Sequence, residues 1–165
     1  MPRALLLLLA LAAACGGSYT VQPGPPRVDD TPATRLRVML PPPGNQGDEG
    51  GRVIAGRVVQ VLQQSHADVQ LIAATDLKAA LAEARAAQAV YLVEPAVTAW
   101  VEGHAPPFTA DQLGVRLELV DVASGAVVNT VAFSNASSLF AVSDTPPSSL
   151  LDARFDDAVR ALFAR

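Results

Sequence analysis

The residues with the greatest chemical potential in this chain are two histidines, several serines and a few carboxylates. His66 and His104 have no histidine three or four positions away and no cysteine nearby, so the spacing of a metal site is missing. His66 is predicted to end a helix, where a cation is favourable. No serine stands in the Gly-x-Ser-x-Gly setting of a hydrolase nucleophile, including Ser124, Ser134, Ser137 and Ser138. We therefore predict no metal, no cofactor and no catalytic serine.

Three acidic residues could supply the paired carboxylates of a general acid–base mechanism: Glu94, Glu102 and Asp121. Glu94 precedes Pro95 within a long apolar stretch, where a bulge is expected. Asp121 begins a turn that its side chain can cap. We favour these structural roles, and a hydrolase that uses carboxylates at one end of a sheet remains the alternative.

A glycine-rich segment at residues 44–51 lies between a predicted strand and a predicted helix, where phosphate-binding loops also lie. Its glycines match neither the dinucleotide-binding nor the P-loop spacing, and no Lys-Ser or Lys-Thr pair follows. Asp48 and Glu49 would repel a phosphate but suit the positive end of a helix dipole. The segment is predicted to be an ordinary loop.

Cys15, the single cysteine, has the clearest chemical interpretation. It follows an 11-residue apolar run, residues 4–14, with Arg3 before the run. The run is about half the ~20 residues that a transmembrane helix needs, so it is predicted to be an export signal that is removed. A signal peptide with a chance cysteine is the simpler alternative to a lipoprotein signal.

The segment Leu11-Ala12-Ala13-Ala14-Cys15 resembles the lipobox of bacterial lipoproteins, although its large aliphatic residue lies one position earlier than usual. The resemblance implies that the Cys15 thiol is alkylated by a diacylglyceryl group. Gly16 follows the cysteine in place of the aspartate that favours the inner membrane, which implies the outer membrane. More than one acyl chain makes such anchoring stable, so the membrane is an expected partner.

The composition sets limits on the other partners. The chain has 165 residues, of which 50% are hydrophobic and 17% charged, and its net charge is −4. It carries no basic field that could hold a phosphate backbone, so no nucleic acid partner is predicted. The length suits one domain. We expect a signal peptide at residues 1–14, a flexible proline-rich tether at 15–34 and one periplasmic domain at 35–165.

Apolar periodicity in the domain predicts an α/β (α+β) fold: a mixed five-stranded sheet in the chain order βαβαβββα, covered by about three helices. Right-handed crossovers would make the first pairings parallel, and hairpins would make the later ones antiparallel. The predicted strands are residues 36–40, 69–72, 90–101, 113–119 and 127–133, and the predicted helices are 54–65, 76–87 and 151–162. Thr75 is a candidate N-cap, and Gly125 is expected to take a positive φ.

Three segments resemble a family of uncharacterised bacterial outer-membrane lipoproteins that carry a domain of unknown function. They are residues 81–95, the Trp100-Val101-Glu102 segment, and residues 115–125, which run from Val-Arg-Leu-Glu-Leu into Asp-Val-Ala-Ser-Gly. Hairpins similar to the last occur in domains of the TolB N-terminal and CsgG types and in lipoprotein activators of peptidoglycan synthases. The resemblance implies an α/β fold and an envelope location, and no activity.

The sequence therefore favours a non-enzymatic, outer-membrane-anchored periplasmic lipoprotein that binds or positions another envelope protein. The alternatives are the carboxylate hydrolase and a self-assembling, CsgG-like oligomer. Trp100, the single tryptophan, is a candidate for the partner surface because tryptophan is enriched where interfaces are strongest. A place in the core is the simpler interpretation of this residue.

Overall fold

A computed structural model describes residues 17–23, 28, 30–41, 48–102, 110–137 and 146–164. The signal peptide, Cys15, His104 and most of the glycine-rich loop lie outside these residues. Six strands form one sheet: β1 (Ser18–Pro23), β2 (Arg35–Met39), β3 (Asp68–Ile72), β4 (Tyr91–Val101), β5 (Gln112–Asp121) and β6 (Val127–Ala136). The helices are α1 (Asp48–Leu62), α2 (Leu77–Ala86) and α3 (Ala153–Ala161), and a 3-10 turn covers Pro147–Leu150.

The sheet has the strand order β1-β6-β5-β4-β2-β3. Strand β2 pairs in parallel with both β3 and β4, whereas β4, β5, β6 and β1 pair antiparallel in succession. The α/β class is thus confirmed, and the expected division into parallel and antiparallel halves is present. The expected five strands and the order βαβαβββα are wrong, because a further strand precedes the first expected one.

That further strand is β1, which lies inside the segment expected to be a flexible tether. Its pairing partner, β6, is more than 100 residues away in the chain, so no local pattern announces it. The residue before it, Gly17, is buried, and its carbonyl accepts a hydrogen bond of 2.9 Å from Arg154 Nη1. A Cβ atom at Gly17 would lie 2.8 Å from the Phe133 ring. Gly17, two residues after Cys15 in the chain, therefore already packs against the domain.

The two faces of the sheet are covered unequally. Helices α1 and α3 pack on one face over a large core that includes Leu36, Val93, Leu117 and Phe155. Helix α2 packs on the other face over a smaller core that includes Met39 of β2, Ile72 of β3 and Leu92 of β4, toward the β3 edge of the sheet. Within the described residues, no helix is long and apolar enough to cross a membrane.

Local signals in the sequence place several residues correctly. The Asp121 carboxylate accepts from the Ser124 backbone N–H at 2.7 Å, and Gly125 has φ +73°, as expected for the turn between β5 and β6. The N-cap of α2 is Asp76, not Thr75, because the Asp76 side chain accepts from the Ala79 N–H at 2.8 Å.

The irregularity expected at Pro95 lies further along β4, between Val97 and Ala99. Pro95 itself lies beyond Val93, the last residue of β4 that pairs with β2. Strand β4 is therefore locally an edge at Pro95, where no N–H is required.

Candidate functional site

Within the described part of the chain, the sheet face opposite α1 and α3 is uncovered in the region that α2 does not reach. Three rows of side chains cross it on adjacent strands, and we call these rows together the open face. They are Gln22, Thr130, Glu118 and Glu94; Thr20, Ala132, Arg116 and Ala96; and Ser18, Ser134, Gly114 and Ala99.

The open face follows directly from the alternation of side chains along each strand. In β5, Leu113, Val115 and Leu117 are buried in the α1 core, so Arg116 and Glu118 point the other way. In β6, Val131 and Phe133 are buried while Ala132 between them is exposed. A sheet with one packed and one wet face is typical of antiparallel pairing.

One row of the open face contains two opposed carboxylates. Glu94 and Glu118 are direct partners across the β4–β5 pair, and Arg116 Nε lies 3.2 Å from Glu118 Oε1. Burial raises the pKa of Glu94, repulsion from Glu118 raises this pKa further, and the Arg116 charge partly opposes both effects. This row can accept hydrogen bonds through its carboxylates or hold a cationic group.

The carboxylates named from the sequence do not converge. Glu94 lies opposite Glu118, Glu102 follows the end of β4, and Asp121 lies at the far end of β5. The Ser124 hydroxyl and N–H both donate to Asp121, and these bonds lower its pKa. Asp121 therefore has the expected capping role. Sequence analysis missed Glu118, whose facing position depends on the register of two strands.

A groove of about 400 Å³ lies at one end of the open face, next to the irregularity in β4. Its lining is uncharged and rich in small or hydroxyl-bearing side chains, among them Ser18, Thr98, Gly114 and Ser134. Gly114 is required here because a Cβ atom would lie 2.5 Å from Thr98 Oγ1 and 3.1 Å from the Ala99 backbone nitrogen. The groove suits a neutral polar segment better than a charged ligand.

A second cluster, Asp30, His66 and Ser65, has the Asp–His–Ser sequence of contacts found in a hydrolase triad. His66 is buried, its Nε2 lies 3.0 Å from Asp30 Oδ1, and its Nδ1 lies 3.0 Å from Ser65 Oγ. The contact between His66 Nε2 and Asp30 lacks hydrogen-bond geometry. It is an ion pair only when the imidazole ring is protonated. The ring also packs against Phe163 with centroids 5.1 Å apart.

This cluster lies just after the end of α1, where the Leu62 carbonyl lies 3.3 Å from Ser65 Oγ and accepts from it. The C-terminal end of a helix carries the negative end of the dipole, which disfavours the oxyanion that a serine nucleophile produces. The contacts instead connect the segment before β2 to the end of α1. The helix ends at Leu62 and not at His66 as expected, although the His66 backbone N–H donates to the Leu62 carbonyl at 2.9 Å. The sequence alone did not indicate Asp30 and Ser65 beside this ring.

Trp100 lies on the α1 side of the sheet and is partly buried against the core. A Cβ atom at Gly50, in the first turn of α1, would lie 2.9 Å from the indole ring. Trp100 therefore does not belong to the open face, and its role in partner binding stays a prediction. Among the residues that the structure describes, no group of three or more His, Cys, Asp or Glu could hold a metal ion.

No family model matches the chain, and no curated protein matches it. Solved structures do share its fold. PelC from Paraburkholderia phytofirmans, which was solved as a dodecamer, has a TM-score of 0.62 and 23% identity, covering 90% of this chain and 99% of PelC. This likeness shows the fold.

Two more distant structures are also similar. The lipoprotein GNA1162 from Neisseria meningitidis has a TM-score of 0.46 and 13% identity, covering 78% of this chain and 97% of its own. A DUF330 protein from Xanthomonas campestris has the same score and identity, with 87% of each chain covered. At these scores the likeness is too distant to bear on function.

Proposed function

We propose that this chain is a non-enzymatic lipoprotein of the bacterial outer membrane, anchored on the periplasmic side through acylated Cys15, which binds another envelope protein through the open face. The observation that carries the proposal is the open face itself. It is a sheet surface of small and polar side chains whose opposite face packs into the core under α1 and α3.

The side chains of the open face suit a protein partner. Ala132 and Ser134 are exposed and short, so a partner can approach the sheet closely along β6. Glu94 and Glu118 in one row, and Arg116 in the adjacent row, add charged groups that can fix the orientation of the partner. The small side chains provide contact area for a partner, and the polar groups beside them provide specificity.

The roles of several ionisable residues support a non-enzymatic function. Asp121 caps the hairpin, and Asp152 caps α3 by accepting from the Arg154 and Phe155 N–H groups. Arg57 makes a two-pronged contact with Asp156, at 2.8 and 2.9 Å, that connects α1 to α3. These charges stabilise the fold, whereas a hydrolase would depend on the Glu94–Glu118 pair.

The position of β1 supports a place close to the membrane, given an acylated Cys15. Gly17 is buried two residues after Cys15, a separation of at most about 7 Å at full extension. A flexible tether over the 19 residues 16–34 would have allowed a reach several times longer. The partner is therefore expected to be an outer-membrane or membrane-adjacent protein.

Self-assembly is the second candidate, and it is compatible with the first. PelC, with which this chain shares its fold over 90% of its length, was solved as a dodecamer. Among the described residues, the outermost strands β1 and β3 each pair along one edge only, so copies of the chain could pair along the other edge. We propose that the lipoprotein forms a homo-oligomer at the membrane.

Site-specific photo-crosslinking in intact cells tests the role of the open face. A photoreactive residue replaces Ala132 on the open face or, as the matched control, Ala164 after α3; both alanines are exposed. We expect a discrete adduct with one envelope protein from position 132 and none from position 164. Equal adduct patterns from the two positions, or no adduct from position 132, would contradict this role.

A further inference from the structure

The two outermost strands of the sheet are free along their outer edges within the described residues. Strand β1 pairs only with β6, and β3 pairs only with β2. Both strands expose large apolar side chains: Tyr19 is 41% exposed, Val21 37% and Leu71 47%. Strands at sheet edges usually carry charges or prolines that prevent pairing with another chain, and the central residues of β1 and β3 carry neither.

The exposed apolar residues of the two edges lie on the same face of the sheet. Tyr19 and Val21 are opposite Phe133 and Val131, which are buried under α1 and α3. Leu71 is opposite Val38, which is buried in the same core. If β1 of one copy paired with β3 of another to form one continuous sheet, these side chains would lie together on one face of that sheet, at the junction between the copies.

The backbone of β3 is available for such pairing. The Ile72 carbonyl accepts from the Leu40 N–H at 2.9 Å, so the backbone polar groups of Ile72 face β2. Those of the neighbouring Leu71 therefore face outward, away from β2. The Gln63 side chain donates to the Val69 carbonyl at 3.2 Å. This long, partly exposed side chain can move aside when a strand approaches.

Strand directions determine how the edges can join. Three antiparallel pairings separate β1 from β3 in the sheet, so the two strands run in opposite directions. We propose that β1 of one copy pairs antiparallel with β3 of the next, which joins the sheets of successive copies head to tail. This inference rests on the anchoring and self-assembly parts of the proposed function.

The lipid anchor excludes the symmetric alternatives. An antiparallel pair of two β1 strands, or of two β3 strands, would turn one copy end over end. Their acylated cysteines, each two residues before Gly17, would then point in opposite directions and could not enter one membrane. Pairing of β1 with β3 keeps every copy in one orientation, with all anchors at the same end. Such head-to-tail contacts form a closed ring or an open filament.

Cysteine cross-linking of the full lipidated chain in its membrane tests this pairing. Gln70→Cys on β3 is combined in turn with Ser18→Cys, Thr20→Cys or Gln22→Cys on β1, which covers three registers. Mild oxidation should give a ladder of covalent multimers with at least one combination. Each single variant and the parent chain should give none, because no introduced cysteine then faces a second cysteine across the junction.

A second variant distinguishes the pairing from the proposed function. Leu71→Arg should raise the concentration of half-dissociation about tenfold or more, because the charge would be buried at the joint. Val127→Arg is the matched control, since Val127 is 46% exposed but lies on the inner strand β6, and it should have no effect. A monomer in detergent would contradict self-assembly itself. An oligomer without a ladder, or a single variant that dimerises, would contradict only the β1–β3 pairing.

Discussion

Replacing Gly114 by alanine is expected to destabilise the domain by about 1–3 kcal/mol, the usual cost of an overpacked site. The new Cβ atom would lie 2.5 Å from Thr98 Oγ1, and 3.1 Å from both the backbone nitrogen and the Cβ atom of Ala99. The threonine side chain can rotate away, but the backbone at the β4 irregularity cannot move without disturbing its pairing with β5. Most of the cost should therefore remain.

The same substitution at Gly56 should have the opposite sign. Gly56 lies within α1, and a Cβ atom there meets nothing within 4 Å. Alanine is favoured over glycine inside a helix by about 1 kcal/mol, so Gly56→Ala should stabilise the domain by roughly 0.5–1 kcal/mol. Each substitution adds one methyl group. At position 114 this group would contact Thr98 and Ala99, whereas at position 56 it would contact no other residue.

Urea unfolding of a lipid-free chain from residue 16 onward measures both effects. The midpoint should fall for Gly114→Ala and rise for Gly56→Ala, and adding Thr98→Ala to the first variant should recover only part of the loss. A Gly114→Ala midpoint at or above that of the parent would refute the close approach of β4 to β5. A full recovery in the double variant would show that Thr98, not the backbone, causes the strain.

Three further predictions concern other parts of the chain. Gly125→Val should lower the free energy of unfolding by about 1–3 kcal/mol because φ is +73°, and Gly125→Asn should cost less; equal stabilities would contradict the turn. The pKa of Glu94 is raised in the folded state, so its ionised form is disfavoured on folding. Glu94→Gln should therefore stabilise the domain at neutral pH; the gain should decrease as the pH falls through the raised pKa of the folded state and be lost below 4.5, and a pH-independent difference would contradict this. Cys15→Ser should abolish acylation and lipoprotein-type processing, and an intact mass without lipid in the parent protein would contradict the lipobox assignment.

Local sequence patterns predict most elements because the signals lie within the elements. Apolar and polar residues alternate along β5 and β6, and Asp121 and Gly125 mark the turn between these strands. Both signals can be read without knowing which strands pair. Strand β1 could not be predicted in this way. Its six residues are mostly polar and lie among prolines, and its stability comes from β6, from Arg154 and from the ring of Phe133.

The candidate site is only partly visible from the sequence for the same reason. Glu94 stands out as an acid in an apolar strand, but its neighbour Glu118 depends on strand register. The open face exists because α2 covers only part of the sheet. The position of α2 on the sheet depends on tertiary packing, which no local sequence pattern specifies. The Asp30–His66 contact joins residues from two segments that have no common pattern.

The central claim is that the chain is a lipid-anchored module that assembles at the outer membrane. Native mass spectrometry of the protein, extracted in detergent from the outer-membrane fraction, tests both parts in one spectrum. We predict a homo-oligomer in which every chain begins at Cys15 and carries a diacylglyceryl group. A monomer, or chains without lipid, would contradict the account.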